Sequence, residues 1–142
     1  MSIYEKLSLG ISAFAFVISL FVYFKNKLYS TATLETSIFA QIASAKSALS
    51  SSIEDDLAFG EDFSALGIHI ANNRISAQKD LINAYEFACQ HYLSGAVNRG
   101  HFRNLYAPEI AELFTDGAFS EIIHAGTYPS LKMFHNRNQN HA

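Results

Sequence analysis

The chain of 142 residues carries a formal charge of −3 at pH 7, and its one cysteine excludes an intramolecular disulfide bond. Residues 31–142 hold seven basic and twelve acidic side chains, a formal charge of −5. This disfavours a protein that coats duplex nucleic acid, because such proteins need a broad basic surface. The 112 residues after Ser30 suffice for one compact domain, and a lone cysteine fits a reducing cytoplasm.

An apolar stretch near the N-terminus predicts a membrane-spanning helix. The eighteen residues from Leu7 to Phe24 are all uncharged. At about 1.5 Å per residue they cover roughly 27 Å, close to the roughly 30 Å hydrocarbon core of a bilayer. Aromatic side chains sit at both predicted interfaces, namely Tyr4, Tyr23, Phe24 and Tyr29.

A buried core helix and a secretory signal peptide are alternatives to a span. Ser30-Thr31-Ala32 resembles a cleavage site, but Lys25 and Lys27 stand before it and the apolar stretch is longer than in most signal peptides. The same lysines outweigh Lys6, so the positive-inside rule predicts a cytoplasmic C-terminus. We expect an anchor over residues 1–30 in the inner membrane, in contact with lipid, and a cytosolic domain over residues 31–142.

Small residues within the span recur at spacings of four, three and four. Such a stripe allows close approach of a second helix, so it predicts a homo-oligomer. Phe14 and Phe21 lie away from the stripe and are expected to face lipid. The stripe consists of Ser8, Ser12, Ala15 and Ser19.

Apolar residues at helical spacing predict an all-α domain, and no useful stretch alternates with the period of a strand. The first amphipathic helix covers residues 31–49, and the serines at 50–52 are expected to form a hinge. Ser51 and Glu54 then have the spacing of a capping box. The segment 66–70 is ambiguous, and Asn72-Asn73-Arg74 predicts a turn or cap.

The clearest soluble helix covers Leu81 to Leu93 and should end at Gly95 in a left-handed cap. Asn98 is expected to cap the next segment, and Pro108 to open a further helix that ends at Phe114. Residues 119–125 and 129–135 predict two short helices. The predicted architecture is a small helical bundle on one transmembrane helix.

Catalytic and metal-binding patterns are not found in the sequence. No two histidines lie three or four residues apart, and Cys89 and His91 point in different directions on a helix. The acidic segment from Glu54 to Asp62 lacks the register of a calcium loop and is expected to be a solvated face. We therefore expect a protein that is not an enzyme and has no cofactor or metal.

Basic residues in segments poor in acid predict a site for an anionic ligand, because nearby donors decide charge-assisted hydrogen bonding. Amide side chains beside them can read the edge of a base. The alternative is that they are ordinary solvated charges and helix caps. The candidate ligand-binding residues are Asn72, Asn73, Arg74, Lys79, Arg99, His101 and Arg103.

The segment Leu81 to Phe114 resembles a pattern in small bacterial membrane-anchored helical proteins of unknown function. An aromatic-acidic pair in a helix is followed by a glycine turn and then by a basic-aromatic segment. The layout of a span and a small cytosolic domain is also similar to the membrane effectors of type III CRISPR defence that bind cyclic oligoadenylate. This resemblance implies that ligand binding at an oligomeric cytosolic face rearranges the spans and disrupts the membrane.

Three functions follow as hypotheses. The leading one is a membrane-anchored sensor-effector that binds an anionic cyclic oligonucleotide in antiphage defence. The second is a tether that recruits a protein partner through the helix Leu81 to Leu93. The third is a small toxin that acts through its span alone.

Overall fold

A computed structural model of the protein describes residues 3–59 and 65–139, without the side chains at 3, 5–9, 56–59 and 65–67. Within these ranges the chain is all-α and forms no strand, which confirms the predicted fold class. The five helices are α1 (Ile3–Phe59), α2 (Ala65–Ser94), α3 (Arg99–Thr115), α4 (Gly117–Ala125) and α5 (Pro129–Asn138).

Helix α1 runs without a break from the apolar segment into the domain. The predicted hinge at residues 50–52, and the new helix capped by Ser51, are therefore wrong. Ser52 is buried, and its hydroxyl donates to the carbonyl of Leu49 at 2.7 Å. A serine that bonds within its own helix does not need to end it. The buried residues Ile38 and Ile42 hold this part of α1 on the core.

Helix α2 continues through Asn72-Asn73-Arg74, where the sequence predicted a turn or cap. Asparagine favours caps and turns, but local propensity is a weak predictor that apolar contacts in the tertiary structure override. The buried residues Ile70 and Ala77 flank the segment on one face of α2. At the other end, Gly95 has a φ of 76°, which confirms the predicted left-handed cap.

Helix α3 begins as predicted but does not restart at Pro108. The side chain of Asn98 accepts a hydrogen bond from the backbone N–H of His101 at 3.1 Å, which confirms the predicted cap. Pro108 lies inside α3, where it removes one helical hydrogen bond. The buried residues Tyr106 and Ile110 on either side keep the helix on the core. The two short helices after it are also confirmed, as α4 and α5.

The core is built around one face of α2, which packs against α1, α3, α4 and α5. Tyr85 and Cys89 are almost completely buried there. By contrast, every residue of α1 from 11 to 30 is exposed, so this part of the helix projects from the bundle. Among the described residues, α1 is the one helix long and apolar enough to cross a membrane.

Candidate functional site

Two carboxylates, one on α1 and one on α3, fix the position of α3 against α1. Glu35 accepts a hydrogen bond from the backbone N–H of Asn98 at 2.7 Å. Eleven residues further along both helices, the ammonium of Lys46 lies 2.7 Å from the carboxylate of Glu109. Because the contacts match in spacing, α3 runs beside α1 in the same direction. The first turn of α3 therefore lies at the end of the domain nearest the apolar segment of α1.

The carboxylate of Glu109 also joins α3 to α2. The hydroxyl of Tyr85 donates to it at 2.6 Å. Burial, and then the Glu109 carboxylate, raise the pKa of Tyr85, so this phenol is a protonated donor at neutral pH. Burial likewise raises the pKa of Cys89, which disfavours the reactive thiolate. Tyr85, Cys89 and Glu109 therefore contribute to the packing and the relative orientation of α2 and α3.

The seven predicted ligand-binding residues fall into two separate groups, all exposed. Those from Asn72 to Lys79 lie on α2, and those from Arg99 to Arg103 lie on the first turn of α3. The guanidinium of Arg99 reaches the carbonyl of Tyr92, eighteen residues after Arg74 on α2. Eighteen residues of helix cover roughly 27 Å. The structure does not bring the two groups together within one chain.

Two members of the second group already have partners in the fold. Arg99 donates to the carbonyls of Tyr92 and Leu93 at 3.3 and 3.2 Å, so it caps the last turn of α2. The ring of His101 lies 3.7 Å from the carboxylate of Glu35. Within the described part of the chain, Arg103 forms no ion pair and stays exposed. Arg103 borders a cleft between α3 and α5, whereas His101 lines a smaller groove between α1 and α3.

This cleft lies between α3 and α5 and has a volume of about 780 Å³. Binding sites for small molecules commonly measure about 300–1,000 Å³ and combine an apolar lining with a few polar groups. The lining residues follow the spacing of three or four that places them on one face of each helix. They are Arg103, Asn104, Ala107, Pro108, Ile110 and Ala111 on α3, and Phe134, His135, Asn138 and Gln139 on and after α5.

The α5 wall of the cleft is held by contacts that the sequence did not reveal. Glu86 on α2 accepts hydrogen bonds from the backbone N–H groups of Ser130 and Leu131, at the start of α5. The ring of His135 stacks on Phe114, with ring centres 3.9 Å apart. Burial lowers the pKa of His135. In the sequence, the spacing of four residues between His135 and Gln139 indicates that both side chains lie on one polar face of a helix.

A second groove of about 450 Å³ lies between α1 and α3. Phe39 and Leu105 border it, and they are 59% and 43% exposed. This apolar surface differs from the docking surface predicted for a tether. The apolar face of Leu81 to Leu93 is largely covered by the other helices, so it is not free to bind a partner in this structure.

The small-residue stripe in the span lies on α1, and Ser12, Ala15 and Ser19 are exposed along it. The hydroxyl of Ser19 donates to the carbonyl of Ala15 at 2.9 Å. The side chain of Ser8 lies outside the described residues. Phe14 and Phe21 are each 68% exposed.

Across the described segments, no group of three His, Cys, Asp or Glu side chains has the arrangement of a metal site. Comparison of the chain with models of protein families, with curated proteins and with solved structures found no match.

Proposed function

We propose that this chain is a non-enzymatic, single-pass membrane protein that senses an anionic ligand through its helical domain and transmits binding to its span. The observation that carries this proposal is the continuity of α1. One helix contains both the apolar segment and the core residues Ile38 and Ile42. A shift of the bundle against α1 therefore acts directly on the span, because a helix transmits displacement along its length without a hinge.

The cleft between α3 and α5 is the proposed ligand site. It joins a guanidinium, an imidazole and three amide side chains to an apolar wall. Charge-assisted hydrogen bonds from Arg103 suit an anionic group. A nucleotide ligand and a role in antiphage defence belong to the same proposal and rest on the resemblance in layout to CRISPR membrane effectors.

A thermal-shift screen of the full-length protein in detergent tests ligand sensing. A ligand that binds only the native state raises its stability by mass action. We expect at least one compound from a panel of linear and cyclic nucleotides to raise the melting temperature. Replacement of Arg103 by alanine should remove roughly 1–3 kcal/mol of binding free energy, as for a lost charged hydrogen bond.

The matched control is Arg74→Ala on α2, which removes the same charge at a residue that does not line the cleft. It should leave the ligand-induced shift unchanged. If no anionic compound in the panel stabilises the protein, ligand sensing is wrong.

The orientation follows from the lysines beside the span. We expect a reporter fused after Ala142 to be active in the cytoplasm, because Lys25 and Lys27 outweigh Lys6. Replacement of both lysines by glutamine should reduce that bias. Efficient activity of the unmodified fusion on the outer side of the membrane would contradict a cytosolic sensor.

Assembly as a homo-oligomer is proposed through the small-residue face of α1. Beyond the span, the side of α1 opposite Ile38 and Ile42 continues with small exposed residues, namely Thr33, Thr36, Ala40, Ala43 and Ser47. Their spacing continues the pattern of Ser12, Ala15 and Ser19, which suits close contact between parallel helices.

Replacement of Ser12 and Ala15 by leucine is expected to weaken self-association of the full-length protein, because the larger side chains block close approach of the helices. Light scattering in detergent or cross-linking in membranes measures the change. The control is replacement of Phe14 and Phe21 by leucine, off the stripe. An unchanged oligomer after the stripe substitution would place assembly in the domain.

A membrane tether for a protein partner is the second candidate function. The exposed side chains of Phe39 and Leu105 beside the α1–α3 groove favour it, because exposed aromatic and aliphatic side chains often mark interfaces. Substitution of Phe39 by serine should abolish partner capture but not nucleotide binding. The two functions are therefore separable in one protein preparation.

A further inference from the structure

The ligand class of the α3–α5 cleft follows from its charges and its backbone. We infer that the cleft recognises a nucleoside monophosphate, a ligand with one phosphate group, hydrogen-bond donors and a compact body. This inference rests on the proposed function and names the ligand of the same site.

The charge of the cleft matches one phosphate group. Among its described lining residues, Arg103 is the one with a permanent charge. The lowered pKa of His135 favours the neutral imidazole at pH 7. A guanidinium binds a phosphate by two parallel hydrogen bonds. The additional phosphates of a triphosphate or an oligonucleotide would find no second cation in this lining.

The α3 wall also presents a hydrogen-bond acceptor, because Pro108 interrupts the helical ladder. In an α-helix the N–H of residue 108 would donate to the carbonyl of Asn104, but proline has no N–H. Asn104 and Pro108 both line the cleft. The carbonyl of Asn104, the residue directly after Arg103, thus lacks its helical donor and is left for a hydroxyl or amino group of a ligand.

The opposite wall supplies amide groups with defined roles. The side-chain amino group of Asn138 donates to the carbonyl of Phe134 at 2.8 Å, which leaves its oxygen as an acceptor. Gln139 is hydrogen-bonded to His135. Ala107, Pro108 and Ala111 form an apolar strip on the α3 wall. The single anion site fits a phosphate group. The acceptors fit a hydroxyl donor of a ribose or an amino donor of a base, and the apolar strip fits the face of a ring.

Calorimetry on the full-length protein in zwitterionic nanodiscs tests the inference with four probes: adenosine 5′-monophosphate, adenosine, adenosine 5′-triphosphate and inorganic phosphate. We expect the monophosphate to bind, adenosine and phosphate to bind at least about tenfold more weakly, and the triphosphate to bind no more tightly. A tenfold change equals about 1.4 kcal/mol. R103Q should weaken monophosphate binding by about tenfold or more, whereas R74Q should change it by less than about twofold.

A second variant, P108A, tests the carbonyl acceptor without loss of charge. It restores the N–H that bonds to the Asn104 carbonyl, so monophosphate affinity should fall several-fold while the melting temperature rises. A fall in affinity with a rise in stability cannot result from unfolding.

The outcomes separate this inference from the proposed function. If an anionic compound of the thermal-shift panel binds but the monophosphate does not, or if R103Q leaves monophosphate affinity unchanged, the cleft assignment is wrong and ligand sensing survives. If no anionic compound binds, ligand sensing itself is wrong and the inference falls with it.

Discussion

Replacing Phe134 by alanine is expected to lower the free energy of unfolding of the helical domain by about 3–5 kcal/mol, the usual cost of deleting a buried aromatic ring. Phe134 is 1% exposed. Its ring centre lies 4.9 Å from that of Tyr92 and 5.6 Å from that of Phe102, both in edge-to-face geometry. The substitution removes these contacts and leaves a cavity where α2, α3 and α5 meet.

A loss of this size is a large fraction of the roughly 5–15 kcal/mol that stabilises a typical domain. Denaturant unfolding of the full-length protein in detergent, followed by circular dichroism, measures it. The matched control is Phe39→Ala on α1, where the ring is 59% exposed and the loss should stay below about 1 kcal/mol. Equal losses in the two variants would contradict the packing described for α5.

Replacing Glu86 by alanine is expected to detach the start of α5 and to cost about 2–3 kcal/mol, because two charge-assisted hydrogen bonds are lost. Its two carboxylate oxygens accept from the backbone N–H groups of Ser130 at 3.0 Å and Leu131 at 2.7 Å. Tyr128 precedes α5 and provides no side-chain cap of its own. A carboxylate from α2 thus satisfies donors that the first turn of α5 leaves free, at the positive end of its dipole.

Hydrogen exchange followed by mass spectrometry should show faster exchange across α5 in the Glu86→Ala variant, with α1 unaffected. The control is Glu121→Ala on α4, an exposed glutamate whose loss should leave α5 protected. Ligand affinity should fall with the loss of α5, since α5 forms one wall of the cleft. Unchanged exchange in α5 would show that Glu86 does not hold it.

The sequence correctly predicted the features that depend on residues close together in the chain. Gly95 ends α2 and Asn98 caps α3 because a left-handed glycine and an asparagine cap act within one turn. The apolar spacing of α2 was visible for the same reason. The serines at 50–52, Asn72-Asn73 and Pro108 all suggested breaks, but burial of residues on either side keeps those helices continuous.

The candidate site depended on contacts between distant parts of the chain, so less of it could be predicted. Arg99 and Arg103 are four residues apart on α3 and equally basic. Only the tertiary structure shows that Arg99 caps α2 while Arg103 borders the cleft. The bond from Glu86 to the start of α5 spans more than forty residues. No local sequence pattern predicts such a contact.

The continuity of α1 between its apolar segment and the core is the central claim, and a distance measured by electron paramagnetic resonance tests it most directly. Spin labels at Asn26→Cys and Ser44→Cys would lie eighteen residues apart, both at exposed positions. Cys89 is buried and should remain unlabelled. For the full-length protein in nanodiscs, an unbroken helix predicts one narrow distribution at a backbone separation of about 27 Å. A broad distribution, or one centred at a much shorter distance, would reveal a hinge between span and domain and contradict direct transmission.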